Sequence, residues 1–204
     1  MTTDPVRHFD REAGRLAEVY EGTTFDLVHP YLTGLLPPPP AKVLDIGAGS
    51  GRDSVALAKM GYEVTAVEPS AAMRREAIAR HPGGAVEWLD DRLPYLRRLG
   101  RRRFDIILLS AVWMYLARDD RREAIDRLHS LCNARGTVAL SVRSTKSDEA
   151  GDFQVVDIEA TVAAFVDRGF QPLKRQALPD VLGRLDKEWT AFVFELDMRG
   201  DNSL

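Results

Sequence analysis

Val43-Leu44-Asp45-Ile46-Gly47-Ala48-Gly49-Ser50-Gly51-Arg52 reads as a short buried strand running into a glycine-rich turn, with a helical pattern following from Asp53 to Met60. Glycines at alternate positions let the backbone take up positive φ and approach a ligand with no Cβ in the way. The start of the helix beyond them offers unpaired N–H groups and a partial positive charge. Strand, turn and helix together make a seat for a nucleotide-like ligand. It is not the dinucleotide seat, because G-x-G-x-x-G would need its third glycine where Arg52 stands. A pyrophosphate would also be poorly served by Asp45, whose carboxylate suits an ammonium group.

Working outward, the 204 residues suffice for one domain with a sizeable core. With 45% hydrophobic and 29% charged residues the composition is that of an ordinary globular protein. A net charge of −3 gives no global basic field for nucleic acid or an anionic membrane. Cys132 is the lone cysteine, so neither an internal disulfide nor a cysteine-based zinc site can form. His8, His29, His81 and His129 lack ligand spacing, and no metal is expected. The first fourteen residues carry no apolar signal core, and the apolar run 106–117 is too short to span a bilayer. Cytoplasmic residence is the expectation.

Residues 1–15 read as a polar leader, mobile or docked on the surface, and 16–36 as an N-terminal helical segment that ends at Pro37-Pro38-Pro39-Pro40. This divides the chain into 1–40, a helical segment with a proline-rich connector, and 41–204, the body of a single domain. After the glycine turn, a helix at 52–60 stops at Gly61. A second strand ends at Glu68, and Ser70 caps a helix over 71–80. A third strand covers 86–89, and a basic turn at 97–103 precedes a buried fourth strand, 104–110. A helix over 121–133, a strand at 137–142, a polar loop at 144–156 and a helix at 158–168 capped by Asp157 complete the alternation. Two closing strands, 170–176 and 189–196, follow one another with no helix between them. The pattern predicts an α/β fold: a Rossmann-like, doubly wound, mostly parallel seven-stranded sheet with a C-terminal antiparallel hairpin and an N-terminal helical segment.

In such sheets ligands bind beyond the carboxyl ends of the strands. Glu68 lies about 20 residues past the first glycine, where nucleotide folds place an acid on ribose hydroxyls. Its charge would repel a 2′-phosphate. The pattern hydrophobic-Asp-hydrophobic-Gly-x-Gly-x-Gly resembles the first motif of the class I S-adenosylmethionine-dependent methyltransferases. Asp90-Asp91-Arg92-Leu93-Pro94, at the end of the third strand, resembles that family's Asp-x-x-Leu-Pro stretch, whose acid accepts from the adenine amino group; the match puts this acid at Asp90, with Asp91 as the alternative. Phe104-Asp105 and the segment 110–116 resemble the family's Phe-Asp strand and the apolar segment between cofactor and substrate.

The resemblance implies S-adenosyl-L-methionine as cofactor and S-adenosyl-L-homocysteine as product. The residues expected to hold it are Asp45, Gly47, Ala48, Gly49, Gly51, Arg52, Glu68, Pro69, Asp90, Asp91 and Ser110. Tyr20, His29, Tyr115 and Arg143 are the polar candidates near the acceptor. The compact chain favours methyl transfer to an O or N atom of a small molecule. An RNA-directed enzyme would draw on the arginines at 97–103. A non-catalytic cofactor-binding scaffold of the same fold is the remaining alternative, and a nicotinamide enzyme is disfavoured by Arg52.

Overall fold

The computed structural model describes residues 4–144, 153–184 and 187–197. Val43 and Leu44 are both fully buried because their strand, β1 (Lys42–Ile46), lies mid-sheet between β2 (Glu63–Val67) and β4 (Phe104–Ser110). Alternate residues of each strand face opposite layers. Leu44, Ile46, Ile107 and Leu109 join a core with Leu128 of α5 (Asp120–Leu131) and Phe165 of α6 (Ile158–Asp167). Val43, Ile106 and Leu108 point the other way, onto Leu57 of α3 (Arg52–Lys59), Phe25 of α2 (Phe25–Val28) and Tyr31. Asp45 shares the parity of Val43 and is therefore directed at α3.

The sheet order is β3-β2-β1-β4-β5-β7-β6, with β3 at Val86–Leu89, β5 at Cys132–Ser144, β6 at Phe170–Leu178 and β7 at Glu188–Leu196. The first five strands are parallel, and β7 runs antiparallel between β5 and β6. This is the seven-stranded sheet with a terminal hairpin that the alternation predicts. The order reverses between β1 and β4, which opens a crevice at their carboxyl ends. Strand β5 begins earlier than the expected 137, because Cys132 pairs with Phe104 before a register shift. Most of the polar loop expected at 144–156 lies outside the described residues.

The N-terminus corrects the expected leader. Residues 5–15 form the first three turns of α1 (Pro5–Glu21). Asp4 caps it by accepting from Val6 N at 3.2 Å, with Pro5 in the first turn. Only small residues, Ala13 and Ala17, are buried on α1, so its apolar stripe is faint. The helix lies along α4 (Ala71–Arg80) and is tied to its start. The Asp10 carboxylate accepts from Ser70 Oγ at 2.7 Å and Ala72 N at 3.1 Å, and the first of these chiefly holds its pKa below the usual range. At the other end, His81 Nε2 lies 3.1 Å from Glu21.

Candidate active site

The glycine turn is built by the strand beside it. Gly47 N and Ala48 N both donate to Val67 O, at 2.7 and 3.1 Å, which folds the turn back over the end of β2. Gly47 has φ +70°, and a Cβ there would come within 2.5 Å of Val112 Cγ2. Gly51 has φ +85° and would press a Cβ on Trp88 and Ala77 at 3.1 and 3.2 Å. Its glycine serves packing of the turn against β3 and α4, and it does not line the cleft.

Above the turn, at the ends of β1, β2, β4 and β5, lies a cavity of about 850 Å³. Of the expected cofactor residues, Asp45, Gly47, Ala48, Gly49, Arg52, Glu68, Pro69, Asp91 and Ser110 line it. Asp90 does not. It faces outward, paired with Arg74 at 2.8 Å, while the same guanidinium donates to Glu68 O. Asp91 is the acid turned inward, its carboxylate pinned by Arg92 N at 2.9 Å and Arg98 N at 2.6 Å. Tyr20, Tyr115 and Arg143 line the cavity, and His29 does not. His29 is buried instead beneath α3, with Nε2 2.8 Å from Asp53 Oδ2 and Nδ1 3.0 Å from the Tyr31 hydroxyl.

Three buried acids set the electrostatics. Glu68 accepts from Gly49 N at 2.9 Å on one oxygen and Ser70 N at 2.8 Å on the other. Each oxygen keeps a second lone-pair site. Burial raises the pKa of Glu68, and these two donors partly offset the rise. Asp45 accepts from Ser54 Oγ at 2.6 Å, and burial first, then the neighbouring Asp53 charge, push it up to about 7. Burial would raise Asp53 too, but His29 and Arg52 outweigh it and hold this acid below its ordinary value. Arg52 spends itself here: Nε and a terminal nitrogen bind the two Asp53 oxygens at 2.7 and 2.9 Å, and Nη1 donates to Tyr20 O at 3.2 Å.

Residues that sequence reading missed close the cavity. Val6 and Phe9 of α1 lie over it, and the Phe9 ring meets the Tyr115 ring edge-on with centroids 5.3 Å apart. Phe153, Asp180 and Trp189 line the far side. The signal for α1 was the Asp4-Pro5 pair. The exit of β4 is held open by Ser141, whose Oγ accepts from Ala111 N at 3.1 Å while Ala111 sits at φ +59°.

The donor set fits an adenosine bearing an amino acid. The turn presents carboxylates and backbone, and the guanidinium of Arg52 beside it is engaged by Asp53. Buried Glu68 retains acceptor sites for two hydroxyls, and Leu93 and Val112 supply apolar faces. The basic turn is partly committed as well: Arg102 is bound to Glu87 at 2.6 Å and to Thr65, and Arg103 to Cys132 O. Among the described residues no cluster of side chains could hold a metal ion, and no helix is long and apolar enough to cross a membrane.

Comparison with known proteins agrees with this geometry. Residues 43–136 match the family model described as a methyltransferase domain. An uncharacterized methyltransferase of Bacillus licheniformis is 32% identical over 53% of this chain and 50% of its own. One from Mycobacterium bovis is 31% identical over 52% of each. The chain thus spans about half the length of the curated relatives it matches. Among solved structures, a TehB-like S-adenosylmethionine-dependent methyltransferase from Corynebacterium glutamicum superposes with a TM-score of 0.69 at 22% identity, covering 92% of this chain and 97% of that one. The 1,6-didemethyltoxoflavin-N1-methyltransferase of Burkholderia thailandensis, solved with its substrate and S-adenosylhomocysteine, gives 0.72 at 20% identity, covering 94% of this chain and 87% of that one.

Proposed function

We propose that this chain, whose residues 43–136 match a methyltransferase domain, is a class I S-adenosylmethionine-dependent methyltransferase that moves a methyl group from S-adenosyl-L-methionine to an O or N atom of a small-molecule acceptor. The observation that carries this reading is the cavity. Its volume lies within the range of small-ligand sites. Val6 and Phe9 of α1 contribute an apolar wall to it. The toxoflavin enzyme of the same fold acts on a small heterocycle, which supports the reading without naming this chain's acceptor.

In this reading the Asp45 carboxylate holds the ammonium of the cofactor, Glu68 its ribose hydroxyls and Asp91 its adenine amino group. When bound, S-adenosylmethionine supplies a methyl group on a cationic sulfur, already a strong electrophile. The protein's part is therefore alignment and exclusion of water. Tyr20, Tyr115 and Arg143 border the volume left for the acceptor. Burial pushes the Tyr20 phenol above its usual range, so at neutral pH it is a hydrogen-bond donor and not a base. The test is calorimetric titration with S-adenosylhomocysteine, NAD being run alongside, followed by transfer of labelled methyl to metabolite-sized acceptors. Binding of NAD alone, or methyl transfer only to RNA or protein, would overturn the proposal.

Asp45 makes binding pH-dependent. Its folded pKa, about 7, lies above the ordinary 3.8, so its contribution to stability is whole below pH 3.8 and is lost as pH rises toward 7. An ammonium beside it favours the ionised form and draws its pKa down on binding. Affinity for S-adenosylhomocysteine is then expected to climb between roughly pH 5 and 7 and level off above, by up to about tenfold per unit. Asp45→Asn should flatten the profile. A profile of wild type that is flat over that window rejects this role for Asp45.

A further inference from the structure

Arg143 is a buried cation with no hydrogen-bond or ion-pair partner among the described residues. The residue is 8% exposed, and its Nε is shielded from solvent and makes no hydrogen bond. Its register opposite Trp189, two positions beyond Ser141 on the same face of β5, puts the side chain into the cavity. Its one recorded contact among the described residues is with the Phe153 ring, whose centroid is 3.9 Å from the guanidinium carbon. A ring face attracts a cation but leaves the buried Nε–H without an acceptor. The acid on the same cavity wall is already engaged. Asp180 receives Arg184 at 2.6 and 3.0 Å and Trp189 Nε1 at 2.9 Å, and these bonds hold its pKa at about 2 in spite of its burial.

A charge buried without a counter-ion is unfavourable unless the functional state supplies one. We propose, on the methyltransferase reading above, that Arg143 is the anion-recognition residue of the acceptor subsite and that the acceptor carries a carboxylate. The subsite's other walls give the rest of the molecule. Phe153 lies tilted against Tyr115 with centroids 4.8 Å apart, and Tyr115 meets Phe9 edge-on, an aromatic cluster that suits a planar or aromatic body. A carboxylate matches one planar fork with two parallel bonds. A phosphate dianion would be under-neutralised by one guanidinium in a cavity that also holds Asp45, Glu68 and Asp91. The carboxylate here is the handle by which the acceptor is oriented; the methylated atom lies elsewhere on the molecule.

The experiment titrates the protein, with and without saturating S-adenosylhomocysteine, with benzoate, phenylacetate and cinnamate. Their neutral amides and phenyl phosphate are the comparison ligands. At least one carboxylate is expected to bind tenfold or more tighter than its amide and than phenyl phosphate. Arg143→Gln should remove that preference, while Arg143→Lys retains part of it. S-adenosylhomocysteine affinity and the unfolding midpoint report whether each variant is intact; should Arg143→Gln not fold, the lysine variant and the acid–amide comparison on wild type decide the matter. Equal binding of acid and amide, no binding of any carboxylate, or an unchanged preference in Arg143→Gln overturns the inference. Tighter binding of phenyl phosphate overturns it in favour of a phosphate monoester. Arg143-dependent carboxylate binding by a protein that ignores S-adenosylhomocysteine would uphold the inference and remove the methyltransferase reading instead.

Discussion

Glu68→Ala is expected to bind S-adenosylhomocysteine at least about 100-fold more weakly than wild type. Two hydrogen bonds from ribose hydroxyls to an ionised acceptor are worth about 1.5–3 kcal/mol each, and about 2.7 kcal/mol already corresponds to 100-fold. The same truncation strips Gly49 N and Ser70 N of their acceptor. The glycine turn and the start of α4 would then both lose the group that positions them. Glu68→Gln separates the two roles. Its amide oxygen can serve one backbone donor, but its NH₂ opposes the other, so an intermediate loss is expected. Calorimetry on variants whose thermal unfolding is checked decides the matter; an alanine variant within threefold of wild type would remove Glu68 from the site.

Asp53→Ala is expected to destabilise the fold by about 3–5 kcal/mol, the range for removing one partner of a buried ion pair. The side chain is 6% exposed and takes both Arg52 donors and His29 on its two oxygens. Without it the Arg52 guanidinium is left uncompensated, and the buried imidazole of His29 loses the partner of its Nε2. Urea unfolding at pH 7 measures the change, and a loss below about 1 kcal/mol would show that the network contributes little. The pH dependence has the opposite sign to that of Asp45. Asp53 lies below its ordinary 3.8, so its stabilisation is complete above that pH and disappears only as acid titrates it lower still. Two neighbouring acids therefore pull the stability profile in opposite directions, Asp45 across pH 4 to 7 and Asp53 beneath it.

The strands and the glycine turn were legible in sequence because each is a local pattern: Val43 to Ile46 is apolar but for its acid, and Gly47 and Gly49 require positive φ where they stand. What could not be read locally was which way a side chain turns. The Asp-x-x-Leu-Pro spacing favours Asp90 over Asp91, but Arg74 reaches from α4 and draws Asp90 outward, which leaves Asp91 on the cavity wall. His29 is a cavity candidate in sequence but the mate of Asp53, 24 positions away, in the fold. Gly51 is read as a ligand contact, yet Trp88 of β3 explains it. The leader was misjudged for another reason. Its composition is polar, and the pair that starts α1 occupies two residues. Asp180 and Trp189 flank the hairpin connection, where no periodicity marks a site.

The placement of α1 has a consequence in time. One end of this helix lines the cavity through Val6 and Phe9. Its middle is latched by Asp10 to Ser70, whose own amide is bound to Glu68. If α1 must lift for a ligand to pass, arrival and departure share one gate. Weakening the latch by Asp10→Asn would then quicken both, with much less change in their ratio, a pairing that stopped-flow fluorescence of ligand exchange can resolve. That outcome would put control of ligand exchange at a carboxylate of α1, outside the glycine turn.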